Sequence, residues 1–321
     1  MSVNKERYAE FCRNADHMPI FNQDWWLDAV CSPENWDVVL VEKGGRIQGA
    51  LPFFFKSRFG RRWITMPPLT QTMGPYLNYP NGQKYEKRLA FEKDVVGQLI
   101  EALPPVLSYH QHLSPALTNW LPYYWRGYHA SPRITYIIPD LRDLDTVWDG
   151  TRANIRTDVR KAREQVTVVE DGDLEILLHL NRMTFQRQDR SLPYDADLVR
   201  HIDAECKKRD CGRLFLARGE DERWHAGIYV VWNRHSAHYI LGGGDPELRS
   251  SGATSLLIWQ AIQFAAEVSQ KFDFEGSMLP GVERFCRAFG AHQVPYLSIR
   301  RTHSRLLHFI QSLRKGLSGQ V

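Results

Sequence analysis

Two stretches of the chain place a tight polar turn between apolar runs. WDVVLVEKGGRIQGALPFFF, which begins at Trp36, has Gly44-Gly45 between two such runs, and a two-glycine loop favours the turn of a β-hairpin. RLFLARGEDERWHAGIYVVW, which begins at Arg213, repeats this order. In each stretch a glycine, Gly49 or Gly227, leads the second apolar run. The pattern predicts one hairpin in each half of the chain.

The segments after the two hairpins also correspond. YEKRLAFEKDVVGQLIEAL and ATSLLIWQAIQFAAEV have apolar residues three and four apart, which predicts amphipathic helices. A short strand, an aromatic-rich helix that ends in glycine and a last strand follow each of them. The short strands are VLSYHQHL and KFDFEG, and the aromatic-rich helices are NWLPYYWRGYHA and VERFCRAFGAH. The last strands are RITYII and PYLSIRR. Gly127 and Gly290 are predicted to follow the helix ends, where glycine adopts a positive φ without strain.

The correspondence predicts an internal duplication. A repeat of about 160 residues is the length of a domain and too long for a solenoid. The boundary is expected near IIPDLRDLDTVWDG, where proline, aspartate and glycine concentrate, which gives domains at 1–142 and 143–321. Hairpin strands followed by a strand–helix–strand–helix–strand run indicate the α+β class, with a mixed sheet flanked by helices.

Composition and charge narrow the class of protein. Of the 321 residues 43% are apolar and 24% are charged, and the formal net charge is +4. These values are those of a globular protein and do not indicate a nucleic-acid coat protein. No apolar run is long enough for a transmembrane helix, and the polar segment MSVNKERYAEFCRNADH does not resemble a signal peptide. The cytoplasm is therefore the expected location.

The five cysteines are scattered and form no CxxC pair. Their spacing predicts reduced thiols and no zinc site. Cys286, which lies among aromatic residues in a predicted helix, is expected to pack in the core rather than to act as a nucleophile.

The order of these elements resembles a known superfamily. The glycine stop GGGD, the helix after it and FDFEGS…GVERFCRAFGA…PYLSIRR are similar to GNAT acyltransferases. The segments PIFNQDWWLDAV, GALPFFFKSRFG and MGPY, and later NIRTDVRKARE and MTFQRQDRSLP, resemble the tandem-domain branch of that superfamily. This branch includes the Fem-type peptidoglycan-bridge aminoacyltransferases and related bacterial acetyltransferase-like proteins. The resemblance covers nearly the whole chain, although the chain has no heptad insertion for a Fem-type helical arm.

The resemblance implies a donor loop between the fourth strand of the second domain and the next helix. Its motif, Q/R-x-x-G-x-G/A, corresponds to Arg249, Ser250, Ser251, Gly252, Ala253 and Thr254, with Thr254 in place of the last small residue. Backbone N–H groups at a helix start can bind the pyrophosphate of coenzyme A. The alternative is that Ser250 or Ser251 only caps the helix. The residues of GGGD lack dinucleotide-binding spacing, so they either allow close approach of backbones or end the strand.

Two carboxylates lie in KFDFEGS. Strand alternation predicts Phe272 and Phe274 on one face and Asp273 and Glu275 on the other. The superfamily binds its acyl group where two parallel strands part, and Glu275 would lie close to that opening. The resemblance implies Glu275 as the base and Tyr239, on the preceding strand, as a proton donor; ion pairing, capping and packing are the structural alternatives. Asp273 is also a candidate for substrate binding.

Further basic and polar residues are candidates for substrate binding. Arg284 follows the carboxylate strand, and FQRQDRSLP supplies Gln186, Arg187 and Arg190. A spacing of four, four and three predicts a basic helix face, which is formed by Arg152, Arg156, Arg160 and Arg163. This face could meet a phosphate of coenzyme A, tRNA or a lipid-linked precursor, or could face solvent. The apolar and basic pattern of residues 303–317 predicts an amphipathic helix that docks on the protein or on an anionic membrane.

The sequence therefore predicts an N-acyltransferase that moves an acyl group from acyl-coenzyme A to an amine. Its acceptor would be a small molecule or a precursor of the cell wall or surface polysaccharide; no metal and no DNA are expected. Aminoacyl-tRNA as the donor, and a binding module without catalysis, are the alternatives. The first domain is expected to lack a donor site, because TMPPLTQTMGPYLNYPN replaces the phosphate turn with prolines.

Overall fold

The computed structural model describes residues 2–302, except residues 16, 59 and 277. The predicted amphipathic segment 303–317 therefore lies outside the described residues. Within them the chain forms two units, one from the described parts of 1–133 and 296–321 and the other from 134–295. The units thus divide within two strands, β6 (His129–Ile138) and β12 (His292–Thr302), rather than at the predicted break after residue 142.

The first unit begins with helices and continues with an antiparallel sheet. Its elements are α1 (Val3–Asn14), α2 (Asp24–Cys31), β1 (Trp36–Lys43), β2 (Arg46–Arg58), β3 (Arg61–Thr65), β4 (Tyr76–Leu77), α3 (Tyr85–Glu101), β5 (Ser108–His112) and α4 (Leu121–Tyr124). β2 pairs with β1, β3 and β4. The predicted hairpin is confirmed, because Lys43 pairs with Arg46 and Gly44 and Gly45 both have positive φ.

The last strand of the chain belongs partly to this first unit. Residues 298–302 of β12 pair antiparallel with β5, from Ser298 opposite His112 to Thr302 opposite Ser108. Ile299 is buried in the same apolar cluster as Tyr109 and Leu113. This non-local pairing explains why the units are not two consecutive halves of the sequence.

The second unit contains the predicted strand–helix alternation. Its elements are α5 (Leu144–Gly150), α6 (Ala153–Gln165), β7 (Val166–Glu170), α7 (Leu174–Gln186), α8 (Ala196–Lys207), β8 (Gly212–Gly219), β9 (Trp224–Trp232), β10 (Ala237–Gly244), α9 (Ala253–Val268), β11 (Phe272–Asp273) and α10 (Pro280–Arg287). The strands β7 to β10 are antiparallel neighbours, β11 runs parallel to β10, and β11 pairs antiparallel with residues 137–138 of β6. The α+β class with a mixed sheet flanked by helices is confirmed.

The core of the second unit explains why its helices cover the sheet. The apolar face of α9 buries Leu257, Ile258 and Ile262 completely, together with Phe215 and Ile228 of the sheet. Full burial of one such side chain contributes about 1.5–3 kcal/mol. Ala237 of β10 and Phe272 of β11 belong to the same buried cluster, so these two interior strands are packed against the core.

Candidate active site

The parallel pairing of β10 and β11 ends after two residue pairs. Ala237 lies opposite Phe272 and His238 opposite Asp273. Residues 239–244 of β10 continue beside β9, whereas β11 ends at Asp273. The two parallel strands therefore part directly after His238, and we call this point the fork.

Asp273 ends its strand by bonding to the turn that follows. Its Oδ1 accepts hydrogen bonds from Thr135 Oγ1 at 2.5 Å and from the Glu275 backbone N–H at 2.8 Å. Glu275 has a φ of +61°, so the strand alternation that was predicted to reach Glu275 is wrong. The physical reason is that the Glu275 N–H bonds to a side chain and not to a neighbouring strand. Asp273 is buried and shapes the turn.

Gly276 makes this turn sharp. It has a φ of +51°, and a Cβ there would lie 2.3 Å from the Ile134 carbonyl oxygen and 2.4 Å from the Thr135 Cα. Only glycine fits so close to another backbone. A left-handed glutamate followed by a left-handed glycine is a strained arrangement, which is found most often at functional sites.

The turn brings Glu275 to His238 across the fork. Glu275 Oε1 and His238 Nδ1 are 3.0 Å apart, and the two side chains are only 16% and 12% exposed. Burial raises the pKa of Glu275 well above its usual value, and the nearby Asp273 carboxylate raises it further. Burial also lowers the pKa of His238 to about 3, with a smaller contribution from Lys271. Both shifts favour the uncharged forms, so the pair shares one proton near neutral pH.

Tyr239 follows His238 on β10, and its ring lies over Gly242. Its hydroxyl is 2.0 Å from the position that a Cβ of residue 242 would take, and the strand has a register shift between Tyr239 and Leu241. Burial raises the pKa of Tyr239, and Cys286 and Tyr194 raise it further. Tyr239 therefore remains protonated near neutral pH.

The glycines of GGGD serve the packing of α7 on β10. A Cβ at Gly243 would lie 2.3 Å from the Asn181 backbone nitrogen. Asn181 Nδ2 donates to the Gly242 carbonyl at 2.6 Å, and Asn181 Oδ1 accepts from the Tyr194 hydroxyl at 2.8 Å. The backbone that approaches Gly243 is thus that of α7, and not that of a ligand as one sequence interpretation had it. The other interpretation agrees with the end of β10 at Gly244.

The predicted donor loop forms a short 3₁₀ turn, Arg249–Ser251, before α9. Arg249 and Ser250 are exposed, and Thr254 is partly buried. Ser251 Oγ accepts from the Ala253 N–H at 3.3 Å, but the N-cap residue of α9 is Gly252, and no side chain caps the helix from that position. Gly252 has a φ of +77°, and a Cβ there would lie 2.5 Å from the Asp158 carbonyl oxygen. The space beside Gly252 is therefore filled by α6.

The predicted basic helix face differs from the observed helix. Arg152 precedes α6, and its backbone N–H donates to the Ala288 carbonyl. Arg156 Nη1 donates to the carbonyls of Trp148, Asp149 and Thr151 at 3.3, 2.9 and 2.7 Å. The guanidinium thus binds two carbonyls at the end of α5 and the carbonyl of the residue that follows this helix. The four-residue spacing of the arginines could not have indicated this contact. Arg160 and Arg163 are exposed.

This contact predicts that Arg156 contributes to stability. We expect Arg156→Gln to lower the free energy of unfolding by about 1–2 kcal/mol, because charge-assisted bonds to three carbonyls are lost. The matched change Arg160→Gln, on the same helix but exposed, should alter it by about 0.5 kcal/mol or less. Urea unfolding of both variants measures the difference, and equal midpoints would rule out the capping role.

The remaining candidates for substrate binding lie at the surface. Gln186 ends α7, Arg187 and Arg190 follow it, and Arg284 lies on α10; all four side chains are exposed. Burial raises the pKa of the Cys286 thiol to about 12, in keeping with a packing role. The described part of the chain contains no group of three or more His, Cys, Asp or Glu residues suited to a metal ion.

Sequence reasoning missed His238 and Asn181. His238 lies in HSAHYIL, where a single histidine at a strand start carries no local signal. The pairing of β10 with β11 could have indicated it, because that register places His238 beside the carboxylates. Asn181 lies between Leu180 and Arg182 in the second half of α7 and becomes informative only through its contact with Gly242.

Comparison with known proteins defines the class. Residues 149–285 match the family model described as the acetyltransferase (GNAT) domain. Residues 149–285 thus resemble a GNAT acetyltransferase domain, in agreement with the resemblance that the sequence indicated. No curated protein matches the sequence.

Several solved structures share the fold over nearly the whole chain. FemX has a TM-score of 0.65 at 14% identity, with 92% of this chain and 96% of that chain covered. The C-terminal domain (DUF2156) of a putative lysylphosphatidylglycerol synthetase from Agrobacterium fabrum has a TM-score of 0.58 at 11% identity, with 97% and 95% covered. A tandem GNAT protein from the clavulanic acid biosynthesis pathway has a TM-score of 0.53 at 12% identity, with 94% of each chain covered. At these identities the similarity shows the fold alone. In the described residues no helix is both long and apolar enough to cross a bilayer.

Proposed function

We propose that the protein is an N-acyltransferase whose chemistry takes place at the fork between β10 and β11. The acyl group would pass from a thioester of coenzyme A to an amine. The observation that carries the proposal is the 3.0 Å contact between Glu275 and His238, which joins the two parallel strands where they part. A largely buried acid–imidazole pair with strongly shifted pKa values is typical of a site of proton transfer.

The pair supplies the base that an amine needs. An amine that attacks a carbonyl must lose a proton, and a positioned side chain can accept it. When the pair loses the proton of the imidazole Nε2, the shared proton stays on Nδ1 against the Glu275 carboxylate, and Nε2 can then accept the proton of the amine. The low pKa of His238 keeps the imidazole neutral and therefore able to act.

Tyr239 is proposed as the proton donor. Its raised pKa keeps the hydroxyl protonated near neutral pH, so it can donate to the carbonyl oxygen or to the leaving thiolate. The strained turn at Glu275 and Gly276 supports the proposal independently, since the strain holds the carboxylate in place before substrate binds.

The donor loop supports coenzyme A in part. Arg249 is exposed beside the start of α9, and a guanidinium and a helix start both favour a phosphate. Gly252, however, contacts α6, and Ala253 and Ser255 are buried. The protein itself therefore covers much of the first turn of α9, and Arg249 and Ser250 would make the main contacts with the phosphates.

Aminoacyl-tRNA is the second candidate donor. The covered first turn of α9 and Thr254 in place of a small residue favour it, as does the Fem-type resemblance of the sequence. Exposed Arg160, Arg163, Arg187 and Arg190 could then contact a nucleic-acid backbone. The acceptor amine could belong to a cell-wall or surface-polysaccharide precursor, with Arg187, Arg190 and Arg284 as candidate contacts. Catalysis, and not binding alone, is favoured by the shifted pKa values of the buried Glu275–His238 pair.

A thermal-shift comparison with coenzyme A, acetyl-coenzyme A and deacylated tRNA tests the donor. A ligand at one hundred times its dissociation constant adds about 2.7 kcal/mol of stability. We expect both coenzyme forms to raise the melting temperature of the full chain, and Arg249→Ala to remove the rise. Arg234→Ala, which changes an exposed arginine between β9 and β10, is the matched control and should keep it.

The other outcomes of the thermal-shift comparison decide between the remaining candidates. A rise with tRNA alone would replace the thioester donor by aminoacyl-tRNA. No rise with any of the three ligands would contradict both donors and support a binding module. Free-thiol release from acetyl-coenzyme A with a panel of amines then identifies the acceptor class.

A further inference from the structure

The end of the β2–β3 hairpin in the first unit is strongly basic. Between Glu42 and Glu86 the sequence has seven lysine and arginine residues and no aspartate or glutamate. Four of the seven lie close to the turn of the hairpin, and all four side chains are exposed: Lys56, Arg58, Arg61 and Arg62. We call residues 56–58 and 61–63 the ribbon end.

The ribbon end extends beyond the neighbouring strands of its sheet. β1 pairs with β2 only as far as Phe54, and β4 pairs with β2 at residues 49–50. From Lys56 to Arg58, within the part of the chain that the structure describes, β2 therefore pairs only with β3. The cations thus lie on a two-stranded projection that is open to solvent.

The register of this hairpin places like charges side by side. Arg58 lies directly opposite Arg61, and Lys56 lies directly opposite Trp63. Opposite residues of an antiparallel pair share a face, so three cations and one indole lie on one side of the ribbon end. Like charges in opposite positions destabilise a sheet, and no described carboxylate forms an ion pair with Lys56, Arg61 or Arg62. An anionic partner would relieve this repulsion.

The aromatic rings nearest the ribbon end are largely covered. Lys56 Nζ lies 5.9 Å from the centroid of the Phe54 ring, and Arg62 Cζ lies 5.2 Å from that of the Phe55 ring. The Trp63 side chain is partly buried. Single-stranded nucleic acid is bound by open ring faces on which bases stack, and these rings offer little open face. A partly buried tryptophan among lysine and arginine side chains is instead typical of contact with an anionic membrane.

We propose that the ribbon end binds the anionic headgroups of a lipid membrane. Each cation close to such a surface strengthens binding without a specific arrangement, which suits exposed side chains on both faces of a ribbon. The projection lets the ribbon end reach a flat surface before β1 and β4 do. Binding here requires no acyl transfer, and the inference therefore does not depend on the proposed function.

Sedimentation of the full chain with lipid vesicles tests this surface. Vesicles of phosphatidylcholine with about one third phosphatidylglycerol should bind the protein, and vesicles of phosphatidylcholine alone should bind it about tenfold more weakly or not at all. We expect Lys56→Gln combined with Arg61→Gln to lower the partition coefficient about 25-fold, which is about fivefold for each cation removed. The melting temperature should not fall, because the two substitutions reduce the repulsion on one face.

Lys93→Gln combined with Arg160→Gln is the matched control. It also removes one lysine and one arginine, which are both exposed and lie on α3 and α6. The net charge changes equally, yet the partition coefficient should change by about twofold or less, since charges far from the surface are screened. An equal loss in the two double variants would indicate attraction by net charge alone and would overturn the proposal.

The other outcomes also decide. Unchanged binding by the Lys56→Gln, Arg61→Gln protein would place the membrane contact elsewhere in the chain, for example in residues 303–317, and would overturn the proposal. Equal binding to both kinds of vesicle, or binding to neither, would exclude anionic headgroups as the ligand. Deacylated tRNA is the nucleic-acid comparison: if the double variant weakens its binding and anionic vesicles do not bind, the ribbon end is a nucleic-acid surface instead.

Discussion

Replacing Glu275 with glutamine is expected to lower the rate of acyl transfer about 100- to 10,000-fold, the usual contribution of general acid–base catalysis. Glutamine has nearly the same size and can still contact His238 Nδ1, so the turn at the fork should remain intact. It cannot hold a negative charge, however, and therefore cannot help the imidazole to accept a proton. Single-turnover thiol release with the best amine of the acceptor screen measures the effect.

Two controls separate catalysis from folding. Glu267→Gln, on the exposed face of α9, makes the same chemical change away from the fork and should leave the rate unchanged. His238→Gln should lower the rate about as much as Glu275→Gln, and the double variant should be little worse than either single one, because residues that act as a unit are not additive. Full activity of Glu275→Gln would remove the carboxylate from the mechanism.

Replacing Gly276 with alanine should destabilise the second unit by about 3 kcal/mol. The new Cβ would meet the Ile134 carbonyl oxygen at 2.3 Å, and φ at this position is +51°. Overpacking costs about 1–3 kcal/mol, and a left-handed alanine adds about 1–2 kcal/mol. A unit of this size should then melt roughly 6–12 °C lower. The rate of acyl transfer should also fall, since any relief of the clash moves the turn that carries Glu275.

Gly281 offers a matched control for this change. It lies in α10, and a Cβ there would meet no atom within 4 Å. Gly281→Ala should therefore keep or raise stability, by about 0.4–1 kcal/mol. Calorimetry of both variants compares them directly. If Gly276→Ala has the same melting temperature as Gly281→Ala, the backbone at the fork can adjust to the added Cβ, and the argument from strain fails.

The repeated elements could be predicted because their signals are local. A two-glycine turn between apolar runs specifies a hairpin, and apolar residues three and four apart specify α3 and α9. Gly127 and Gly290 were also predicted correctly, as both have positive φ after a helix. Each of these features depends only on residues that are close together in the sequence.

The site could be predicted only in part, because its decisive contacts are not local. Strand alternation predicted Asp273 and Glu275 on one face, but the bond from the Glu275 N–H to Asp273 breaks that alternation at its last step. His238 is 37 residues from Glu275 in the sequence, and only the parallel pairing brings them together. Arg156 shows the same limit, since its spacing suggested a ligand and its guanidinium binds the end of α5.

The division of the chain into two units also depends on contacts between segments that are distant in the sequence. Proline, aspartate and glycine after residue 138 indicated a boundary that depends on local sequence. The pairing with β5 instead places residues 298–302 in the first unit. That pairing also places Arg300 opposite His110, a contact that neither segment indicates by itself.

The pH dependence of acyl transfer tests the central claim most directly. Because the pKa of Glu275 is raised, the pair should lose its first proton at a pH well above the usual range of a glutamic acid. The rate of the unchanged protein, measured as kcat/KM, should therefore rise with pH through a limb that lies well above pH 4.5, and this limb should be absent from the residual rate of Glu275→Gln. The same limb in both proteins would contradict the assignment of the Glu275–His238 pair as the base.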